Sequence, residues 1–244
     1  MISKGFWVRS VFILLLSVGR HADGQTDSAQ KARQLLRIEQ ELMDALPGDS
    51  SLWSRYLDDR WYIITEDGSG YHKQDFLKSF APFSKGFSGH INVARPVVTF
   101  FDKMAIVHFV ADEYEIVWGQ QLHTSYAVAD TFYPTDSSWK MIGSQIFEIP
   151  QLPPAIKISA STLKRYTGNY ELTAGKIAHV SLKNDSLFIQ KNAGKTESLF
   201  AETNAVFFLK SDSRGRKIFT LNEKGEPVML ERRNGNDLVW KRKP

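Results

Sequence analysis

Apolar side chains return at three- and four-residue steps early in the chain, at Ala32, Leu35, Leu36, Leu42, Met43 and Leu46. That spacing predicts an amphipathic helix over 29–46, ended by Pro47-Gly48-Asp49. Ser50 or Ser51 can cap a short second helix through Leu57, because a hydroxyl there accepts from free N–H groups of the first turn. The β-branched and aromatic run 61–65 predicts a strand, Asp67-Gly68-Ser69-Gly70 a turn, and 72–81 a helix that stops at Pro82. Strands follow over 91–101, 104–118, 123–133 and 139–149. Helices first and a meandering antiparallel sheet afterwards make an α+β pattern.

The pattern changes after Gln151-Leu152-Pro153-Pro154-Ala155. Adjacent prolines stiffen a connector and cannot sit inside a strand. Beyond them short strands are predicted over 166–171, 178–182, 186–189, 205–208, 217–220, 228–230 and 238–240. Turn signals separate them at 183–185, 211–215, 224–226 and 234–236. Evenly spaced short strands read as a small barrel or sandwich. Charge divides at the same place. Residues 25–162 carry 12 basic and 17 acidic side chains, net −5, and residues 163–244 carry 16 and 9, net +7.

The start of the chain reads as a targeting segment. Lys4 and Arg9 precede an apolar run over 11–18, which is too short to span a bilayer, and Ala22 and Gly24 suit a signal peptidase. Residues 1–24 are therefore expected to be a signal peptide cleaved before Gln25, giving an exported protein, periplasmic or secreted. No transmembrane segment is expected after cleavage. The absence of cysteine excludes disulfides, thiolate metal sites and a thiol nucleophile. The domain boundaries that follow are 25–150, a Pro-containing linker over 151–160, and a β-domain over 161–244.

Two resemblances fit this division. Trp53-Ser54-Arg55-Tyr56, Trp61-Tyr62-Ile63-Ile64-Thr65, Gln74-Asp75-Phe76-Leu77 and Ser138-Trp139-Lys140-Met141-Ile142-Gly143-Ser144-Gln145, in that order, resemble the NTF2-like superfamily in its SnoaL-like branch. The resemblance spans about 30–150. It implies a cone of helices packed in a curved antiparallel sheet around one deep pocket, and a homodimer. The second part resembles the small lipocalin-like β-domain appended to exported serine hydrolases of the β-lactamase-like class. Its motifs are Leu-x-x-Tyr-x-Gly-x-Tyr from Leu163 to Tyr170, Asp185-Ser186-Leu187, Phe207-Phe208, Ile218-Phe219 and Trp240-Lys241-Arg242-Lys243. No Ser-x-x-Lys set stands in a plausible context, so that hydrolase chemistry does not carry over.

In such a cone alternate strand residues point into the cavity. Trp139, Met141, Gly143 and Gln145 share one strand face. Tyr126, Val128, Asp130 and Phe132 share another. Asp130 and Gln145 fall where SnoaL-like sequences carry a polar pair. A carboxylate among apolar neighbours suits a general base, because desolvation raises its pKa. The bland alternative is that Asp130 braces the sheet through backbone or Gln145. His108, Val110, Asp112, Tyr114 and Ile116 share a third face. His108, beside Val107 and Phe109, is expected to be buried, either as a core histidine or as a second acid–base group. Tyr62, Trp61, Trp53 and Trp118 are candidate cavity aromatics.

The expected ligand-binding set is thus Tyr62, Tyr114, Tyr126, Phe132 and Gln145, with Asp130 and His108 as catalytic candidates. Six histidines without H-x-H or H-E-x-x-H spacing give no metal site. No Gly-rich phosphate loop appears, and no cofactor is expected. The basic segments 214–217 and 241–243 lack the aromatic interleaving that binds single strands, so nucleic acid is not expected. Three functions remain open. One is binding of a small, largely apolar molecule, with the β-domain as an accessory module. The second is a cofactor-free isomerase, dehydratase or hydrolase. The third is a structural protein that dimerises through the outer sheet face.

Overall fold

The computed structural model describes residues 19–244, with side chains from residue 27. The basic start and the apolar run 11–18, on which the signal-peptide reading rests, lie outside the described residues. The fold divides into two compact units, the first ending at Ile149 and the second running from Pro150 to Pro244.

The first unit opens with α1 (Gly19–Ala45) and α2 (Ser50–Tyr56). Asp49, not Ser50 or Ser51, caps α2: its Oδ1 accepts from the Ser51 N–H at 3.0 Å. Strand β1 (Leu57–Ile64) turns through Gly68, whose φ of 84° suits glycine, into a three-residue β2 (Gly70–His72). Helix α3 (Lys73–Lys78) is therefore shorter than the pattern over 72–81 implied. Long strands β3 (Phe87–Phe101), β4 (Met104–Val117), β5 (Gln120–Pro134) and β6 (Trp139–Glu148) complete the unit.

The six strands lie in the order β2-β1-β6-β5-β4-β3. The β3–β6 run is the antiparallel meander that the turns predict, but β1 pairs with β6 in parallel. The sheet is mixed, because β1 returns to it only through the whole length of α3 and the meander. One sheet face and the apolar stripe of α1 bury a common core around Leu35, Ile38, Leu42, Trp61, Val107 and Phe132. Gln40 ties α1 to β3, donating to the Ile91 carbonyl and accepting from the Val93 N–H, both at 2.9 Å.

The second unit carries a short α4 (Ala160–Lys164) and eight strands. These are β7 (Gly168–Thr173), β8 (Lys176–Lys183), β9 (Ser186–Lys191), β10 (Thr196–Ala201), β11 (Val206–Leu209), β12 (Asp212–Leu221), β13 (Pro227–Arg233) and β14 (Asn236–Arg242). They close into a barrel, β10-β11-β12-β13-β14-β7-β8-β9, which leaves no open edge. Strand β10 was not anticipated. The expected turn at 211–215 is the start of β12. Part of the expected linker belongs to this unit, since Ile156 donates its N–H to Ala201 at 2.9 Å and Ile158 packs on the barrel core.

Each unit has its own hydrophobic cluster. Fragments 25–149 and 150–244 are therefore expected to give separate cooperative melts by circular dichroism. If neither melts cooperatively, the two cores are not independent.

Candidate functional site

The site begins with one residue that breaks a pattern. Glu39 lies on the α1 stripe between Leu35, Ile38, Leu42 and Met43, and its side chain is fully buried. A helix stripe of this width faces the core whatever occupies it. Across from it, β5 turns Val128, Asp130 and Phe132 inward, as strand alternation requires, and Asp130 is 2% exposed. On β6 a bulge intervenes: Thr131 pairs with Gly143 but Phe132 with Met141, leaving Ile142 extra. The bulge shifts alternation by one residue. Trp139 and Met141 face inward before it, and Ser144 and Ile146 after it.

Ser144 therefore sits opposite Asp130 in register, inside the cone. It accepts a hydrogen bond from the Trp61 indole N–H at 3.0 Å, and its own hydroxyl donates to the Met141 sulfur at 3.0 Å. That sulfur is a weak acceptor, which leaves the hydroxyl free to turn to the Asp130 carboxylate beside it. Both Glu39 oxygens and Asp130 Oδ1 are buried with no N–H or O–H donor directed at them from fixed protein groups. The two carboxyls are close enough to hydrogen-bond, so protonation of Glu39 directs a donor at Asp130.

Burial pushes the Glu39 carboxyl well above the usual carboxylate range, and the Asp130 charge and hydrogen bond push it further. Burial also lifts Asp130 to about 7, against hydrogen bonds from Ser144 and Glu39 that favour its charged form. The two titrate as a pair. Asp130 loses its proton near neutrality, and Glu39 is held well above its ordinary value.

Asp130 and Ser144 form the floor of a cavity of ≈ 220 Å³. At ~30 Å³ per water, that is room for about seven water-sized groups. The walls are apolar, among them Trp53, Ile63, Phe76, Ala111, Val128 and Ile146. Trp53 is held by its N–H to the Leu42 carbonyl at 2.9 Å, and its ring meets Phe76 edge-on at 5.1 Å. Thr65, Glu66, Glu113 and Tyr126 also line the cavity. Burial raises the Glu113 carboxyl, and the nearby Glu115 and Glu66 charges add to this. Burial and the same carboxylates push the Tyr126 phenol up to about 12, so it stays a donor to Glu113.

Of the residues expected at the site, Asp130 and Tyr126 line this cavity, as does Trp53. Phe132 is fully buried in the core and does not line it. Gln145 is exposed, because the bulge hands its inward place to Ser144. His108 is exposed on the outer sheet face, paired with Ala129 and Val97, and cannot reach Asp130. Its face carries Tyr114 too, 41% exposed and stacked between His90 and His123 at 5.2 and 4.4 Å. Tyr62 lies outside against His72, with rings 5.0 Å apart, and Trp118 is also exposed. Trp61 is buried beneath the cavity and acts through Ser144. Glu39 and Ser144 were missed. A glutamate on an apolar stripe was the available signal for the first.

A larger cleft of ≈ 550 Å³ lies in the second unit, between residues that include Ile158, Leu163, Leu187 and Phe207. Its ionisable lining residues, Lys157 and Asp185, are exposed, so the unusual chemistry is in the first unit. Among the described residues no group of three or more His, Cys, Asp or Glu side chains is placed to hold a metal ion. No described helix is long and apolar enough to cross a membrane.

Residues 152–240 match the model of a family described as a domain of unknown function, DUF3471. No curated protein matches the chain. Solved structures similar to about half of the chain include NTF2-like proteins. One from Cytophaga hutchinsonii is 15% identical, over 47% of this chain and 95% of its own, with a TM-score of 0.41. An NTF2-like superfamily protein from Salmonella enterica is 13% identical, over 51% and 94%, with a TM-score of 0.45. The CaMKII hub homology domain of Chlamydamonas reinhardtii is 17% identical, over 48% and 98%, with a TM-score of 0.44.

Proposed function

We propose that the first unit binds a small, largely apolar molecule in its cavity, polar end down on Asp130, with the barrel as an accessory module. The observation that carries this reading is the buried Asp130 carboxyl, an acceptor set among the largely apolar walls of the cavity. An unsatisfied buried polar atom costs about 1–3 kcal/mol, and a ligand N–H or O–H would relieve it. Apolar walls with a few convergent polar groups are the usual make-up of a ligand site.

The test uses benzyl alcohol, a ring with one hydroxyl that suits the cavity. Titration followed by NMR should move amide signals of cavity residues such as Ala111, Val128 and Ile146. A Val128→Trp change, which fills the cup, should abolish those shifts. Shifts scattered over the surface, or none, would sink the reading.

A second reading is favoured by one feature. A carboxyl near 7 beside a second carboxyl that keeps its proton is suited to general base and acid work. On this reading the protein is a cofactor-free isomerase, dehydratase or hydrolase, with Asp130 as base and Glu39 holding the proton. Asp130→Asn should then abolish turnover of any substrate found while leaving the fold intact.

The SnoaL-like affinity of the cone and the lipocalin-like affinity of the barrel belong to the same proposal, supported by the motifs quoted above. So does export, supported by the basic start and apolar run; a mature chain that begins at Met1 would exclude it. Self-association through the outer sheet face is supported by exposed Tyr114, Ile116 and Phe147. A single monomeric species in sedimentation would exclude it.

A further inference from the structure

We propose that the cavity selects a cation, namely a small alkyl- or arylammonium whose charged end rests on Asp130 and whose apolar body fills the cup. This rests on the binding reading above and names the ligand class.

Three observations carry it. First, every ionisable carboxyl or basic group lining the cavity is acidic: Glu66, Glu113 and Asp130 line it, and no Lys, Arg or His does. Secondly, the floor offers acceptors and no free donor. Ser144 takes the Trp61 N–H and directs its own hydrogen at Met141 or Asp130, while the Tyr126 hydroxyl is engaged with Glu113. The Asp130 carboxyl lines the cavity, and its buried Oδ1 has no donor among the described residues. A ligand carboxylate or phosphate would meet only acceptors of its own sign. An ammonium brings N–H donors and a charge together, which makes the stronger kind of hydrogen bond. Thirdly, aromatic walls at Trp53 and Phe76 suit either an apolar body or a cation over a ring face.

The groups facing Asp130 decide how the cation is balanced. Glu39 faces it from α1, Ser144 from β6 and apolar Val107 from β4. Once the pair has lost its first proton it holds one negative charge. The ammonium neutralises that charge, and the remaining proton keeps Glu39 from adding a second. Glu113 and Glu66 add a further negative field within the cavity. Binding should therefore strengthen from pH 5 to pH 8, since an alkylammonium near the lysine value of about 10.4 stays charged throughout.

The test compares benzylamine, benzyl alcohol and benzoate, three ligands of one shape, by NMR titration of the full chain at pH 8 and pH 5. At pH 8 benzylamine should bind at least tenfold more tightly than benzyl alcohol, and benzoate should not bind. The amine advantage should shrink at pH 5. Asp130→Asn should remove the difference, bringing benzylamine to the affinity of benzyl alcohol or below it. If that variant fails to fold by circular dichroism, Glu113→Gln should lower amine affinity severalfold more than alcohol affinity. Alcohol binding equal to amine, or any benzoate binding, overturns cation selection and leaves the cavity reading standing. Failure of all three ligands overturns the cavity reading and this inference with it.

Discussion

The double variant Glu39→Gln, Asp130→Asn is expected to be more stable than the wild-type protein at pH 8, with the difference closing towards pH 5. Both carboxyls have folded-state values above their ordinary ones. An acid with a raised folded value binds its proton more tightly when folded, so stability is fully present below the unfolded value. It is lost as pH climbs through the folded value. For Asp130 the window runs from 3.8 to about 7, and for Glu39 it runs upward from 4.5. A shift of this order corresponds to roughly 2–4 kcal/mol. The amides keep the shape, carry no charge, and can exchange N–H···O bonds with each other. Amide hydrogen exchange along residues 35–43 of α1 reads the local stability in the full chain. Wild-type protection that is flat between pH 5 and pH 8 would show that the carboxyls are solvated.

The barrel should respond to acid in the opposite sense and collapse on Glu231→Ala. Glu231 is 1% exposed. It accepts from Lys191 at 2.6 Å, Arg233 at 2.7 Å and the Trp240 indole at 3.1 Å, with the Lys217 ammonium 3.4 Å away. Burial opposes its charge. The hydrogen bonds from Lys191 and Arg233 and the Lys217 charge outweigh that and hold the carboxyl at about 2. Lys217 is itself 2% exposed, and burial pulls its value down. Without Glu231 it would be a buried cation facing only the weaker charge of Asp212, at a cost of about 3–5 kcal/mol. That is a large part of the ~5–15 kcal/mol that holds a typical domain together. Lys191 and Arg233 reach solvent and add less. A depressed folded value means stability present above 4.5 and lost as pH falls towards 2. Urea melts followed by Trp240 fluorescence in a variant lacking the other tryptophans would read this. A Glu231→Ala barrel that melts at the wild-type midpoint would contradict it.

Most of the architecture could be read from the sequence, for reasons particular residues make plain. The α1 stripe and the four long strands have strong periodicity and firm stops at Pro47, Pro82 and Pro134. Asp130 could be found because β5 alternates without interruption from Tyr126 to Phe132. Its partner could not. The extra Ile142 on β6 reverses alternation, and nothing in Met-Ile-Gly-Ser-Gln marks a bulge except the glycine. His108 failed for another reason. Alternation says which residues of β4 share a face, not which face is inside, and His108 has apolar neighbours on both sides. Only the packing of α1 on Val107 and Phe109 decides it. Glu39 was legible as an anomaly on an apolar stripe, but its meaning needs Asp130 opposite. Strand β10 begins Thr-Glu-Ser, which reads as a loop until β9 and β11 are seen to flank it. Parallel pairing of β1 with β6 is a long-range fact with no local trace.

The central claim is that Glu39 and Asp130 are buried neighbours that titrate together, with Asp130 on the floor of the cavity. Carboxyl-carbon NMR titration of labelled Asp and Glu in the full chain measures this directly. The expected result is two linked steps reported by both residues, one near pH 7 and both above the ordinary carboxylate values. Independent titration of both carboxyls near their ordinary values, 3.8 for Asp and 4.5 for Glu, would contradict it and would place both side chains in water.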